Sequence, residues 1–357
     1  MIKQMTPTRL FAFATLIPVA LIGLAIVYGG VWVVCAVVYL TALTAGLDEA
    51  IRHVTPPAPQ AEFPAATTLS VILGVAHFAL LAGTVEALSG ARLVTAEKIG
   101  LFISAGLFFG QISNSNAHEL IHRGGRGLHR LGKWVYISLL FGHHTSAHVL
   151  VHHRYVATPM DPSTSRLGES YYRFAWRAWR GSYRKGLIAE TERQRRIGAS
   201  VLAHPYVFYV GGSFAFASTA WVIGGMMGVW VYISLAFYST SQLLLSDYVQ
   251  HYGLMRRKTG DKFEPVGTRH SWNSPHWFSS ALMLNAPRHS DHHAHPSRSY
   301  DTLVIPQNSP MLPRSLPVMA CVALWPRMWR QVMDPLAAQW SADAPPRAGQ
   351  GATQTAS

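Results

Sequence analysis

From Leu10 to Gly46 the chain runs for 37 residues without one charged side chain. A helix crosses the hydrocarbon of a bilayer in about 20 apolar residues, so this block is too long for a single span. The pair Gly29-Gly30 interrupts it, and it reads as a helical hairpin. A second hairpin is expected over 67–88 and 99–116, with Arg92 and Lys98 near its turn. A third covers 206–226 and 229–245, turning at Met227 and Gly228. With the first pair at 10–28 and 30–46, the fold class is an all-α integral membrane protein of six transmembrane helices. Residues 1–342 form one membrane domain, and the Ala, Gly, Gln and Pro-rich tail at 343–357 is expected to be disordered. The N-terminal segment runs past the length of a signal-peptide core and reads as a retained anchor.

Charge then orients the plan. Only 13% of the 357 residues are charged, well below the roughly 25% usual in soluble proteins. Of the 30 Lys and Arg, 28 fall in segments that share a side with the termini, and only Arg92 and Lys98 lie opposite. By the positive-inside rule the termini, the loop over 117–205 and the segment from Ser246 onward face the cytoplasm of an inner membrane. Glu86 is the one acidic side chain within a span, near enough to its end to reach the interface. Between Tyr171 and Leu187, five Arg and Lys alternate with Tyr172, Trp176, Trp179 and Tyr183. Such a mixture can bind single-stranded nucleic acid. In a chain with six spans it reads better as a helix lying on anionic headgroups, and no nucleic-acid partner is expected.

The chemistry resides in histidine. Two cysteines in unrelated contexts, Cys35 and Cys321, supply neither a disulfide framework nor an iron–sulfur cluster. Of 18 histidines, nine fall into four groups. His118-Glu119-Leu120-Ile121-His122 follows the fourth expected span, and residues four apart share a helix face. His148, His152 and His153 form a second group, and His251 stands just beyond the sixth span. His289, His292 and His293 form the last. A single zinc takes about four ligands, three of them from protein at a catalytic site. Nine imidazoles exceed that and suit two metal ions. His53, His77, His129 and His204 stand alone and read as structural or surface residues, and His144, His276 and His295 are weaker ligand candidates.

These groups resemble the motifs of the alkane 1-monooxygenase family, membrane non-haem di-iron hydroxylases related to the membrane fatty-acid desaturases. The first motif is matched by Asn116-Ala117-His118-Glu119-Leu120-Ile121-His122-Arg123. The second is matched by the His148 group, continuing through Val156 to Pro162 and on to Arg166. The third runs from Arg288 to Pro296, followed by Arg298, Tyr300 and Leu303, and the fourth is His251-Tyr252-Gly253-Leu254. The resemblance implies a histidine-rich cytoplasmic cap holding two non-haem iron ions, with no haem, flavin or iron–sulfur cluster in this chain. It makes His118, His122, His148, His152, His153, His251, His289, His292 and His293 the ligands. It further implies O2 as oxidant, insertion of one oxygen atom into a terminal C–H bond of an alkane, and electrons from rubredoxin and rubredoxin reductase.

Two departures bear on substrate: Ala147 and Gln250 stand where alkane enzymes carry glutamate. The run His143-His144-Thr145-Ser146-Ala147-His148 leans toward the xylene monooxygenase hydroxylases, which oxidise aromatic methyl groups with an iron–sulfur flavoprotein reductase. A membrane zinc metalloprotease using His118, Glu119 and His122 is a rival that leaves the other groups idle. A metal carrier would need ionisable groups within the spans, which are nearly absent. Glu119, Asp161, Asp247 and Asp291 are candidates to hold the ligating imidazoles by their second nitrogen. The substrate is expected to enter from lipid through a wholly apolar channel, with Trp32, Ala36 and Tyr39 on one face of the second span as part of its wall. The bland alternative is that this stripe packs against a neighbouring helix.

Overall fold

The computed structural model describes residues 7–51 and 63–340. His53 and the tail at 343–357 lie outside the described residues. Four helices are long and apolar enough to cross a membrane: Arg9–Tyr28, Val31–Ala50, Ala65–Ser89 and Pro205–His251. The first belongs to α1 (Pro7–Tyr28). The second joins α2 (Val31–Val38), a π-helical turn at Tyr39–Leu43 and α3 (Thr44–Ile51). The third lies in α4 (Phe63–Ser89). The segment expected as a fourth crossing is α5 (Thr95–Leu107), a π-helical turn (Phe108–Ser113) and α6 (Asn114–Ile121).

The 47-residue α11 (Pro205–His251) is two helical arms that meet at Gly224 and Gly225. Gly225 has φ 59° and ψ −150°, a region that side chains with a Cβ avoid. The turn expected at Met227 and Gly228 therefore sits earlier. Gly228 serves close packing instead, since a Cβ there would come within 2.2 Å of the Ala220 carbonyl oxygen.

Three breaks gather at one end of the helices. Arg92 donates to the carbonyls of Ile26 and Val27, and the Gly30 amide donates to Glu97 at 2.6 Å. Gly224 packs on Ser89. The opposite ends of the helices carry His118 on α6 and His251 on α11. There α7 (Arg126–Ser138), α8 (His144–Ala147), a π-helical turn (His148–His152), α9 (His153–Tyr155) and α10 (Tyr171–Arg196) follow α6. After α11 come a short hairpin, β1 (Lys258–Thr259) with β2 (Lys262–Phe263), then α12 (Trp277–Leu282) and α13 (His289–Ala294). The described chain closes with α14 (Leu316–Ala323) and α15 (Pro326–Ala338).

The basic-aromatic segment folds as the amphipathic α10. Phe174, Ala178, Ser182, Gly186 and Glu190 are buried, while Tyr172, Trp176, Trp179 and Tyr183 stay exposed among arginines. Glu190 accepts from Ser146 at 2.7 Å and from Gln194 at 2.9 Å, which ties α10 to the segment that carries His148.

The break in α11 can be tested directly. A Cβ at Gly225 would meet nothing within 4 Å, so a side chain there is opposed by backbone strain of about 1–3 kcal/mol. Thermal unfolding in detergent should shift down for Gly225→Val and not for Gly23→Ala, a helical glycine with open space around it.

Candidate metal centre

The structure gathers all nine of the grouped histidines into two adjoining sets. His118, His122, His148, His153 and His292 form one, and His152, His251, His289 and His293 the other. Within each, one nitrogen or other ligand atom per residue lies within 4.8 Å of every other. In the first set Nε2 of His148 stands 2.8 Å from that of His118 and 2.9 Å from that of His153. His153 Nε2 is also 3.2 Å from the Nε2 atoms of His122 and His292. In the second set His289 Nε2 is 3.0 Å from His251 Nε2 and 3.1 Å from His293 Nε2. Two ligands at right angles on a metal, with bonds of about 2.1 Å, stand about 3 Å apart. Imidazole nitrogens converging at that spacing fit a coordination shell.

Burial and charge point the same way. Burial, and then the neighbouring imidazoles, hold His148, His153, His289, His292 and His293 well below the usual histidine range. His122 is pushed down to about 4 by burial and then by Arg123. A neutral imidazole keeps the lone pair that a metal needs. The Nδ1 atoms of His148, His153 and His293, on the far side of each ring, are buried without partners.

Local helix geometry divides the second motif. The four-residue spacing of His148 and His152 would put both on one face of an α-helix. On an α-helix residues five apart point about 140° away from each other. Here the His153 amide donates to the His148 carbonyl across a π-helical turn, which stacks His148 over His153 and turns His152 to the other set. In α13 the ordinary spacing holds: His289 and His293 share a set, and His292 faces the first.

The four carboxylates take different places. Asp161, fully buried, accepts from His152 Nδ1 at 2.9 Å and from Thr164 Oγ1 at 2.7 Å. Burial opposes charge on both His152 and Asp161. Their attraction outweighs it, raising His152 and lowering Asp161. That bond leaves His152 Nε2 for its set. Asp247 is buried near His152 and accepts from Ser163. Glu119 instead meets Arg123 and the Tyr300 amide, and Asp291 meets His295, Arg298 and the Val304 amide. Both brace the backbone that carries the histidines, because arginine offers a carboxylate stronger bonds than a neutral ring can.

The remaining histidines have other work. His77 bonds Ser138 Oγ at 2.7 Å, His129 bonds the Ile121 carbonyl, and His204 caps α11. His144 stacks on Phe141, and His276 bonds Ser274.

A cavity of about 560 Å³ reaches the centre, lined at one end by His118, His148 and His289. Trp32, Ala36 and Tyr39 do not line it. Ala36 and Tyr39 are buried in the helix core, where the Tyr39 hydroxyl donates to the Ala14 carbonyl. This correction follows from the π-helical turn after Val38, which brings Leu40, Thr41, Thr44 and Ala45 onto the cavity side. Nor is the wall wholly apolar: Asp48, Gln111, Asn114 and Gln242 share it. Sequence reasoning also passed over Asn273, whose side chain pairs with the Ser290 amide at 3.0 Å and Ser290 Oγ at 2.7 Å, fixing α13. A polar residue remote from every motif carries no local pattern that would have revealed it.

The chain matches the model of the fatty acid desaturase family over residues 98–318. It is 35% identical over 272 residues to alkane 1-monooxygenase 1 of Alcanivorax borkumensis, covering 74% of this chain and 66% of that protein. It is 37% identical over 252 residues to the alkane 1-monooxygenase of Pseudomonas putida, covering 69% and 61%. A xylene/toluene monooxygenase hydroxylase component of Pseudomonas putida is 29% identical over 219 residues, covering 60% and 57%. The chain thus spans less than two thirds of the length of these relatives.

A carboxylate that orients a ligating imidazole typically changes metal affinity about 10–100-fold when removed. Asp161→Asn should therefore lower retained metal under chelator challenge, measured by elemental analysis. His292→Ala should lower it further, while His204→Ala, whose ring caps α11 and bonds Thr191, should leave it unchanged.

Proposed function

Because the chain belongs to the fatty acid desaturase family, we propose that it is a membrane monooxygenase of the alkane 1-monooxygenase type. The observation that carries the reading is the meeting of two imidazole sets with the end of a mostly apolar cavity. Five and four histidines suit two iron ions, one per set, with positions left for dioxygen. Bound there, paired iron would activate dioxygen with electrons supplied from outside. The balance is one oxygen atom into a terminal C–H bond and the other released as water, with two protons and two electrons consumed.

The chain's own residues then have definite tasks. The cavity holds an apolar chain away from water and directs its end toward His118, His148 and His289. Asp161 keeps the Nδ1 proton of His152 in place, so that Nε2 remains a donor to metal. The protease alternative loses support, since Glu119 is engaged by Arg123 and the Tyr300 amide and is not free to act as a general base. We read α5 with α6 as a crossing, and the two arms of α11 as two more, giving six spans. The excess of Lys and Arg on the histidine side supports reading that side as the cytoplasmic face of an inner membrane. A basic face there suits rubredoxin, reduced by its reductase, as the electron donor. The likeness to the xylene/toluene component keeps an aromatic methyl substrate, with an iron–sulfur flavoprotein reductase, as the second reading.

Purified protein should carry about two irons per chain and, with rubredoxin, rubredoxin reductase and NADH, convert medium-chain n-alkanes to 1-alkanols. Oxidation of methylbenzenes alone would favour the second reading. A single tightly held zinc with no oxygenation of either class would overturn both.

A further inference from the structure

The cavity contains two acceptors for which an alkane has no use. Asp48 is 2% exposed and lines the same cavity as His118, His148 and His289. Its Oδ1 accepts from the amides of Phe278 at 3.0 Å and Ser279 at 2.9 Å, at the start of α12. Its Oδ2 is buried without a partner. Gln111 lines the cavity too, and its Oε1 is likewise buried without a partner. Buried acceptors are costly when unmet, and a carboxylate oxygen more so than an amide. Both call for a donor. Around them Leu40, Leu107, Met283, Leu316 and Val318 line the cavity with apolar surface.

We propose that this cavity takes hydrocarbon chains bearing a hydroxyl group, and that the hydroxyl donates to Asp48 Oδ2 while the apolar chain extends through the cavity. The proposal rests on the monooxygenase reading and names the substrate class of the same site. Asp48 already has two amide donors on Oδ1, so a neutral hydroxyl is enough to complete its bonding. A chain anchored by its hydroxyl leaves its methyl terminus free to reach the histidines. Oxygenation of an alkan-1-ol at that methyl breaks one C–H bond, forms one C–O bond and yields an α,ω-diol. Dioxygen supplies the inserted atom, and the second leaves as water with two protons and two electrons from the donor protein. The same geometry dictates selectivity: Oδ2 offers an acceptor, which an alcohol O–H can meet and an ether oxygen cannot.

The test uses the iron-loaded, detergent-purified full chain and two isomers, decan-1-ol and methyl nonyl ether, in equilibrium binding with radiolabelled ligand. The wild-type protein should bind the alcohol at least about tenfold more tightly than the ether, because only the alcohol can donate to the buried acceptor. In Asp48→Asn, Oδ1 can still accept from Phe278 and Ser279, but the second position becomes an NH2 donor that suits an ether oxygen. The alcohol-to-ether ratio should then fall toward one or invert. Gln111→Leu, which leaves the α12 contact intact, should lower the ratio by a smaller factor. A wild-type protein that binds the two isomers equally would overturn the proposal even if Asp48→Asn failed to fold, and so would a ratio that Asp48→Asn leaves unchanged. Alkane hydroxylation without alcohol preference would sink this proposal and spare the monooxygenase reading. Alcohol preference without oxygenation of any hydrocarbon would do the reverse.

Discussion

Nine imidazole rings are held together, eight of them with Nε2 about 3 Å from the Nε2 of another. Such an arrangement repels itself unless something positive lies between the nitrogens, so the surrounding protein must hold it in place. Much of the architecture on the histidine side is explained by that requirement. Asn273 and Ser290 lock α13, Gln250 holds the Ala286 carbonyl at 3.0 Å, and Arg298 with the Val304 amide grips Asp291 between two histidines. Trp272 donates to the Tyr252 carbonyl directly after His251. Each bond fixes backbone next to an imidazole, and together they leave the rings few alternatives to facing inward.

The long apolar helices serve the same end by supplying a rigid base. Their breaks meet at one end, so their opposite ends carry His118 and His251 to a common level. Glycine allows these breaks where the backbone adopts dihedrals closed to other residues, at Gly30 and Gly225. The π-helical turns then adjust register. One sets the face of α3 that lines the cavity, and another splits His152 from His148 and His153. A one-residue insertion of this kind costs some helix geometry and recurs at functional sites.

The site's polarity is not uniform, and this matters for what it can bind. Asp161 lies buried beside His152, whereas Asp247 and Asp48 both line the cavity. Asp48 ties this wall to the start of α12 through Oδ1, while its Oδ2 and Gln111 Oε1 keep acceptor capacity that a hydrocarbon does not use.

How much of this was legible in sequence depends on the range of the interaction involved. Charge-free runs and glycine pairs announced the apolar helices because exclusion from water acts on each segment by itself. The four histidine groups stood out because ligand spacing within a helical turn is also local. The turn in α11 was misplaced because Gly228 and Gly225 look alike in sequence, and only the packing of Ala220 and the dihedrals of Gly225 separate them. The stripe of Trp32, Ala36 and Tyr39 was legible as a helix face, but which face meets the cavity depended on a π-helical turn and on α1. The sequence by itself determined an all-helical apolar scaffold and the identity of the grouped imidazoles, through short-range periodicity and the aversion of charge to lipid. Tertiary structure alone decided their division into sets of five and four, the pairing of His152 with Asp161, and the placing of Asp48 on the cavity, because each depends on contacts between segments distant in the chain.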